Sequence, residues 1–443
     1  MHDADADLLA RLPPAGCGYW VAYSGGRDSH VLLHRLARLR GRLVAPLGAV
    51  HVNHHLQPEA ERWAAHCREQ CAALDIPLDV LDVAVDTAAG DGVEAAARKA
   101  RLAAWSQWLP AGGVLLTAHH REDQAETLLL QLLRGAGPAG LAAMSPVSGF
   151  AAGLMARPLL DEPREALAAY AVREELRWID DPSNDDPRFD RNFLRHHVIP
   201  LMRQRWPSLS RTLARAARRQ AAGRRLADET GAGDHARALD PQTGALSVPA
   251  LQALSPDRQS NLLRYWIVRA GFRLPSERVL SHIIDDVLQA AVDAEPRVAW
   301  GGAEVRRHRD RLFLMPALAP VVRAQALRWR IADGPLWLDA ANGVLSAEPA
   351  PGRGIAARFV DTPFALRFRE GGECIRPAGR SHHRALKALL QERGVPGWER
   401  ERIPLLYLGD DLVAVPGVVV GADVAAARDE DGWWPDWSRL TNL

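Results

Sequence analysis

Residues 21–29 read Val-Ala-Tyr-Ser-Gly-Gly-Arg-Asp-Ser, an apolar run that ends in glycine, hydroxyl and carboxyl groups. The next ten residues, HVLLHRLARL, have an apolar rhythm close to that of a helix. The two glycines allow backbone angles closed to other residues, and the helix N-terminus directs free N–H groups at the turn. Such a turn suits a phosphate, with Ser24 and Ser29 as further donors and Asp28 beside a Mg²⁺ ion. An ordinary turn, with Asp28 or Ser29 as the helix cap, is the simpler alternative.

Two other nucleotide motifs are excluded. A Walker A loop needs Gly-Lys-Ser/Thr, and neither Lys99 nor Lys387, the only lysines, follows a glycine. Gly16-Cys17-Gly18 has Val21 where a dinucleotide-binding turn requires its third glycine.

Size and composition set further limits. A chain of 443 residues that is 47% hydrophobic and 25% charged predicts a globular protein of two or three domains. No stretch approaches the roughly 18 apolar residues of a membrane span, so no membrane partner is expected. The four cysteines, Cys17, Cys67, Cys71 and Cys374, form no C-x-x-C pair. We therefore expect no metal cluster or disulfide framework, and a cytoplasmic location.

Positive charge is unevenly placed, although the net charge is only +1. Residues 188–225 contain eleven arginines and a single acid, Asp190. This asymmetry is typical of a surface that contacts nucleic acid.

The first 135 residues alternate strand-like and helix-like runs. Apolar runs at 18–24, 44–52, 77–85 and 113–119 predict strands, and the helical patterns that follow them lie at 28–39, 59–74, 92–108 and 121–134. This alternation predicts an α/β fold with a parallel sheet covered on both faces, whose ligands bind beyond the carboxyl ends of the strands.

The rest of the chain is less regular. Residues 155–225 are helical in pattern, and a Gly/Ala/Asp-rich linker is expected before residue 240. A helical segment over about 249–291 precedes strand-like pieces, and a Pro/Gly/Ala stretch near 350 suggests a boundary. We predict a parallel-sheet nucleotide-binding catalytic domain at 1–220, a mostly helical domain at 221–345, and a smaller mixed α/β domain at 346–443.

Polar clusters follow the ends of the predicted strands, and each has a simpler explanation. Histidines 51, 54 and 119 could hydrogen-bond locally, or together bind zinc. Glu94 and Arg98 could be a surface helix pair, and Glu122 and Asp123 could only complement a helix dipole. The run Asp180-Asp-Pro-Ser-Asn could be a turn. The convergence of these clusters on one edge of the sheet favours a shared cleft over these separate local explanations.

The motifs resemble a known family. SGGRDS matches the SGGxDS motif of the PP-loop, or N-type ATP pyrophosphatase, superfamily, which splits ATP into AMP and pyrophosphate. Within it the chain resembles the tRNA(Ile)-lysidine synthetases through HVNHHL, EAAARKAR, TAHHREDQAET, LLRGAGPAGLAAM, RPLL, WIDDPSN, RNFLRHHVIP and the block at 369–420. An extra alanine follows Thr117, His55 stands where glycine is usual, and Leu102 where an aromatic is common. The last two departures concern the shape of the base pocket.

The resemblance implies a reaction and its site. ATP, with Mg²⁺, would adenylate the wobble cytidine in the CAU anticodon of an isoleucine tRNA, and free L-lysine would then attack C2 to give lysidine. It implies catalytic roles for Asp28, Arg98, Arg101, Asp123 and Glu126, with Asp28 as the Mg²⁺ ligand. It implies ATP binding by Ser24, Gly25, Gly26, Arg27, Asp28, Ser29, His51 and His54. It implies tRNA or substrate binding by His119, His120, Gln124, Arg191, Asn192, Arg195, Arg376, Arg380, Arg384 and Lys387.

Three other functions stay open at this point. A tRNA thiolase of the same superfamily usually carries a cysteine pair or an iron–sulfur cluster, and the chain has no C-x-x-C. A small-molecule AMP-forming ligase would not need the arginine-rich segments. A non-catalytic RNA-binding protein would not need an intact SGGRDS loop.

Overall fold

The computed structural model describes residues 2–86, 93–291, 294–320, 327–339 and 342–438. Its chain divides into two compact units, Met1–Leu226 and Ala227–Leu443. Within the described ranges, no helix combines the length and the hydrophobicity that crossing a membrane requires. The three-domain division at residues 220 and 345 stays a prediction.

The first unit alternates strands with helices, as the sequence predicts. Its strands are β1 (Tyr19–Ala22), β2 (Leu47–Asn53), β3 (Leu78–Asp82), β4 (Val114–Leu116), β5 (Val147–Phe150) and β6 (Gly153–Ala156). Its helices are α1 (His2–Ala10), α2 (Arg27–Arg38), α3 (Ala60–Ala73), α4 (Val93–Trp108), α5 (Arg121–Leu133), α6 (Pro138–Leu141), α7 (Arg164–Arg173), α8 (Asp190–Phe193), α9 (Ile199–Arg205) and the long α10 (Leu209–Ala238), which continues into the second unit.

These strands form a sheet in the order β3-β2-β1-β4-β6-β5. Neighbouring strands from β3 to β6 are parallel, and β5 is antiparallel to β6. The predicted parallel α/β sheet is therefore confirmed. Because β1 lies between β2 and β4, the segments that follow these three strands meet at one edge of the sheet.

Side chains of β1 alternate between two cores. Tyr19, Val21 and Tyr23 belong to one buried cluster, and Trp20 and Ala22 pack on the other face. Alternation along a strand sends neighbouring side chains to opposite faces. Helices cover both faces, and this explains why the sequence of β1 is apolar without a period of two.

The predicted linker before residue 240 is wrong, since α10 is helical through Ala238. A Cβ on Gly231 would lie 3.0 Å from Cβ of Tyr265, so a small residue is required at this contact. Asp234 is buried there and pairs with Arg258 and Arg237. Composition suggested a flexible segment, but close packing and a buried ion pair account for the glycine and the acid.

The second unit contains mainly antiparallel strands. Its strands are β7 (Leu246–Ser247), β8 (Arg297–Trp300), β9 (Ala303–His308), β10 (Arg311–Pro316), β11 (Leu327–Trp329), β12 (Leu336–Asp339), β13 (Gly343–Pro349), β14 (Ile355–Ala356), β15 (Phe364–Arg367), β16 (Cys374–Ile375), β17 (Arg384–Ala385), β18 (Leu405–Leu408), β19 (Asp411–Val415), β20 (Val419–Val420) and β21 (Gly432–Ser438). Its further helices are α11 (Val248–Gln252), α12 (Pro256–Arg269), α13 (Glu277–His282), α14 (Leu386–Glu392) and α15 (Gly397–Arg400).

Two parts of this unit have cores of their own. Helices α11–α13 pack with the sheet β7-β10-β9-β8 around one cluster, and residues after 326 form others. Strand β13 pairs with β21, and β11 pairs with β15. Strands on both sides of residue 345 therefore share two sheets.

A glycine in the β5–β6 hairpin allows a test of packing in the six-stranded sheet of the first unit. A Cβ on Gly153 would overlap the carbonyl oxygen of Gly113, which accepts the Leu154 N–H at 2.9 Å, whereas Gly149 on the paired strand has no atom within 4 Å of such a Cβ. We expect Gly153→Ala to lower the free energy of unfolding by about 1–3 kcal/mol in urea titrations. Gly149→Ala is the control, and equal stability of the two variants would contradict the packing.

Candidate active site

The segments that follow β1, β2 and β4 surround a cleft of about 1060 Å³ in the first unit. Most of the predicted site residues of this unit line it: Ser24, Gly26, Arg27, Asp28, Ser29, His51, His54, Arg98, Arg101, His119, Asp123, Arg191, Asn192 and Arg195. Four others do not line it: Gly25, His120, Gln124 and Glu126. The structure thus brings residues of the turn after β1 together with Arg191 and Arg195, far along the chain.

The glycine turn has the expected left-handed conformation at Gly25 only, whereas Gly26, with φ −74° and ψ 161°, is in an extended conformation open to other residues. Gly25 has a φ of 81°, and a Cβ there would lie 2.9 Å from Cδ1 of Ile179. The Ser24 N–H donates to Oγ of Ser29 at 3.3 Å, and the Ser29 hydroxyl donates to the Gly26 carbonyl at 2.9 Å. Helix α2 begins at once, with Arg27. The turn therefore presents the helix N-terminus to the cleft, the arrangement that binds phosphate.

A buried histidine joins this turn to helix α5. Nε2 of His120 lies 3.5 Å from both Asp28 and Asp123, and Nδ1 lies 3.4 Å from Glu122. Burial alone would lower the pKa of His120, but hydrogen bonds to Asp28 and Glu122 and the charge of Asp123 raise it to about 9. His120 is 2% exposed, and its raised pKa favours the protonated ring at neutral pH. One cation thus balances part of the charge of three carboxylates.

Two arginines hold the carboxylates of α5 from the other side. Arg191 contacts Glu126 at 2.8 Å and Asp123 at 3.1 Å, and Arg195 contacts them at 2.7 and 3.0 Å. Glu126 is 1% exposed, and both its oxygens accept from these guanidinium groups. The acids expected for catalysis and two arginines expected for tRNA therefore form one cluster.

This cluster changes what Asp123 can do. Burial would raise the pKa of its carboxyl, but the charges of His120 and Arg191 lower it to about 2. Such a carboxylate is ionised at neutral pH and is a weak proton acceptor. Arg191 and Arg195 also line the cleft, and the carboxylates fix their positions there.

The three histidines of the zinc alternative do not form a metal site. Nδ1 of His51 donates to the Tyr23 carbonyl at 2.9 Å if it carries the proton, and Nδ1 of His119 lies 2.8 Å from the Thr117 hydroxyl. Burial lowers the pKa of His54 and of His119 to about 4, so both are neutral, and it is the spacing of the ring nitrogens that excludes an ion shared by all three. Among the residues described, only the exposed side chains of His55, Glu61 and Asp82 converge closely enough to hold a metal ion.

The structure shows how His55 is accommodated where the family usually has glycine. Its φ is 52°, in the left-handed region that favours glycine. The side chain reaches Asp82 at 2.8 Å and Glu61 at 3.4 Å. Glycine would suit this backbone better, and the hydrogen bond between His55 and Asp82 offsets part of the strain. Leu102, the other departure, lines the cleft near Trp105.

The remaining predicted residues differ in their surroundings. Arg98 and Arg101 lie on α4, and the Arg101 guanidinium lies 5.6 Å from the ring centre of Trp105. The side chain of Glu94 lies outside the described residues. Gln124 bonds through both amide atoms to the backbone of Met144, so it faces away from the cleft.

The predicted residues of the second unit fall into two groups. Arg376 and Arg384 form ion pairs with Asp423 and Glu392. Arg380 and Lys387 are exposed and form no ion pair in the part of the chain that the structure describes. The side chains of Arg380 and Lys387 are therefore accessible to the phosphate backbone of a nucleic acid.

The donor set near the turn fits a magnesium ion. Asp28 lines the cleft beside the glycine turn, with one oxygen 3.0 Å from Nε of Arg27. The neighbouring charges hold its pKa below the usual range against the effect of burial, so it is ionised. One carboxylate together with substrate phosphates is the usual ligand set for Mg²⁺ in nucleotide sites.

Sequence reasoning missed several members of this site. Asp185 and Asp186 line the cleft together with Asp180 and Asp181 of the expected cluster, and nothing in the sequence indicated the first two. The link from Glu126 to Arg195 was also missed, although both carboxylates (three apart) and both arginines (four apart) have spacings that share a helix face. Such spacing indicates a common face but does not identify the partner helix.

Comparison with known proteins is consistent across the chain. Family profiles described as a PP-loop domain, a TilS substrate-binding domain and a TilS substrate C-terminal domain match residues 12–202, 246–313 and 364–437. The tRNA(Ile)-lysidine synthase of Coxiella burnetii is 42% identical, covering 94% of this chain and 92% of that protein. That of Alkalilimnicola ehrlichii is 44% identical, covering 92% and 91%.

The ion-pair cluster of α5 can be tested by its effect on stability. We expect Glu126→Gln to lower the free energy of unfolding by about 3 kcal/mol, because two half-buried arginines lose the charge of their shared buried partner. Glu165→Gln is the control, since Glu165 is exposed on Arg203 and such pairs contribute about 0–1 kcal/mol. In urea titrations the double variant Glu126→Gln/Arg195→Gln should lose less free energy of unfolding than the two single variants lose in sum. Additive losses would show that the two residues are not coupled.

Proposed function

This chain belongs to the tRNA(Ile)-lysidine synthase family, and from that premise we propose that it joins lysine to C2 of the wobble cytidine in the CAU anticodon of an isoleucine tRNA. The family's reaction is an ATP-dependent modification of a tRNA wobble base. The observation that carries the proposal is the single cleft that holds the SGGRDS turn, Arg98, Arg101 and Asp123. Because tRNA is the substrate, we place the reaction in the cytoplasm.

The chemistry requires two steps. The O2 oxygen of cytidine is a poor leaving group, and transfer of AMP from ATP to this oxygen, with release of pyrophosphate, makes it a good one. The amine of lysine then attacks C2, the C2–O2 bond breaks, and AMP departs with the oxygen. The glycine turn and the N-terminus of α2 support binding of the triphosphate. Arg98 and Arg101, at the cleft wall, would stabilise the charge that develops on the phosphates and the activated base.

Asp28 would hold the magnesium ion, and bound Mg²⁺ would neutralise charge on the leaving pyrophosphate. Arg27 and His120 keep Asp28 ionised and fix its position at the turn. Ser24 and Ser29 donate from the same turn, and His51 and His54 line its neighbouring wall.

Lysine must reach the activated base as a free amine, although its ordinary pKa is about 10.4. The roles of Asp123 and Glu126 toward lysine stay predictions. Their ion pairs with Arg191 and Arg195 support a positioning role, in which ionised carboxylates attract the ammonium group and orient the two guanidinium groups. His119, neutral and half-buried on the cleft wall, is a polar contact for base or amine.

The thiolase and small-molecule ligase alternatives are not favoured, because relatives at 42–44% identity over nearly the whole chain are lysidine synthases. The direct experiment measures tRNA-dependent exchange of pyrophosphate into ATP, with and without lysine. Exchange that needs tRNA but not lysine, followed by lysidine formation when lysine is added, is the expected result. Exchange without tRNA would indicate a small-molecule ligase, and no exchange a binding protein.

A first prediction concerns the carboxylate at the turn. Asp28→Asn should abolish pyrophosphate release while tRNA binding stays within about twofold, because the change removes a metal ligand and leaves the tRNA surfaces intact. The control is Asp161→Asn, an exposed partner of Arg218 outside the cleft lining. Near-normal exchange by Asp28→Asn would exclude its metal role.

A second prediction concerns tRNA binding by the second unit. Each phosphate contact contributes about 0.7–0.9 to the slope of log affinity against log salt. Replacing Arg380 and Lys387 together by Gln should therefore reduce that slope by about 1.4–1.8. The control Arg330→Gln/Arg358→Gln removes the same charge from arginines already paired with Asp333 and Glu430. An unchanged slope in the first variant would remove these two residues from the tRNA interface.

A further inference from the structure

Two segments of the second unit that match separate family profiles, residues 246–313 and 364–437, pack against each other within one compact unit. The β9–β10 hairpin of the first segment contacts α14, α15 and the turn between these helices in the second segment. We call this contact the hairpin joint. Six residues form its centre: His308, Arg309, Phe313, Gln391, Gly394 and Trp398. The contacts at this joint decide whether the two segments act as one surface or as two.

A tryptophan of the second segment is enclosed by side chains of the hairpin. Trp398 is 6% exposed, and the centre of its ring lies 5.5 Å from that of Phe313 and 5.9 Å from that of His308. The guanidinium group of Arg306 lies 5.5 Å from the centre of the same ring. Edge-to-face and cation–π contacts stabilise beyond the burial of apolar area, and they prefer defined geometries. Trp398 therefore holds the two segments in one orientation.

An arginine at the tip of the hairpin crosses the joint. Arg309 has a φ of 56°, in the left-handed region that favours glycine. Its Nη2 donates to the Gln391 carbonyl at 2.9 Å, and the Gly394 carbonyl lies 3.1 Å from Nε2 of His308. A Cβ on Gly394 would lie 3.0 Å from Nη1 of Arg309, so the close approach of the two segments requires a glycine there. A strained arginine whose hydrogen bond goes to the neighbouring segment indicates a use for that bond.

The joint also fixes a cation that we expect to contact tRNA. Three leucines bury one face of α14 in a core of the second segment, whereas Lys387 on the same helix is exposed. Gln391, whose carbonyl accepts from Arg309, belongs to the last turn of this helix. The hydrogen bond therefore sets the position of α14, and with it that of Lys387, relative to the sheet β7-β10-β9-β8.

We propose that the hairpin joint makes the two segments one rigid tRNA-binding surface, in which Trp398 and Arg309 are positioning residues. This inference rests on the proposed function and specifies how the second unit contributes to it. The wobble base belongs in the cleft of the first unit, so this surface serves the parts of the tRNA beyond the anticodon stem and loop. Contacts held in a fixed geometry reinforce one another, because each new contact costs less entropy once the first has formed. A loosened joint weakens binding of the tRNA although each separate contact can still form.

The experiment measures the affinity of the full-length protein for the whole tRNA and for an RNA of its anticodon stem and loop alone. The wild type should bind the whole tRNA about a hundredfold more tightly. Trp398→Ala should lower this ratio about tenfold by weakening only the binding of the whole tRNA. The slope of log affinity against log salt should stay that of the wild type, because no phosphate contact is removed. Trp337→Ala, at a tryptophan of β12 that is 64% exposed, is the control and should keep the ratio.

A second variant, Arg309→Gly, separates positioning from stability. Glycine relieves the left-handed backbone while the hydrogen bond to Gln391 is lost, so the free energy of unfolding in urea titrations should change little. The affinity for the whole tRNA should nevertheless fall about three- to tenfold, with an unchanged salt slope. A slope reduced by about 0.7–0.9 would show that Arg309 itself contacts a phosphate, and would overturn its positioning role. Glu175→Gly, at an exposed residue of the first unit with a φ of 51°, is the control for the backbone change.

The outcomes separate this inference from the proposed function. If Trp398→Ala and Arg309→Gly keep the wild-type ratio between the two RNAs, or if the wild type binds both RNAs equally, the joint does not position a tRNA-binding surface. If Trp398→Ala fails to fold, Arg309→Gly decides, since its backbone change favours the native turn. Pyrophosphate exchange tests the proposed function independently of these ratios: a wild type without tRNA-dependent exchange would overturn that function first.

Discussion

The buried cation of His120 is the interaction on which the first unit's site depends. It lies within 3.5 Å of Asp28, Glu122 and Asp123, and these carboxylates would repel one another without it. Asp28 belongs to the glycine turn, and the other two begin helix α5. One protonated ring therefore fixes the phosphate-binding turn of β1 relative to the helix that follows β4. The backbone N–H of His120 also donates to Asp123, which starts α5 at a defined residue.

Around His120, negatively and positively charged side chains follow one another in turn. Three carboxylates surround the histidine, and Arg191 and Arg195 enclose Asp123 and Glu126 beyond it. Buried ion pairs add little to stability compared with apolar packing, but a lost partner costs several kcal/mol. This asymmetry makes the arrangement rigid. The charged groups of the site therefore hold one another in place, and such preorganisation is the condition for electrostatic catalysis.

The departures from the family pattern are local. His55 tolerates a left-handed backbone through its contacts with Asp82 and Glu61, and Leu102 stands on the cleft wall in place of a larger ring. Neither residue contacts the glycine turn or the His120 network in the described part of the chain. Variation at these positions therefore changes the wall of the cleft.

The sequence by itself determined the fold class, the sheet edge that holds the site, and the family. Strand and helix periods are local patterns, and the SGGRDS turn requires only a glycine in the left-handed region at position 25, so neighbouring residues suffice to predict them. Sequence could not show that Asp123 and Glu126 are paired with arginines about seventy residues away, that Gln124 faces Met144, or that the glycine-rich end of α10 is helical. Only the tertiary structure decided these points, because burial and the choice of ionic partner depend on which helix packs against which.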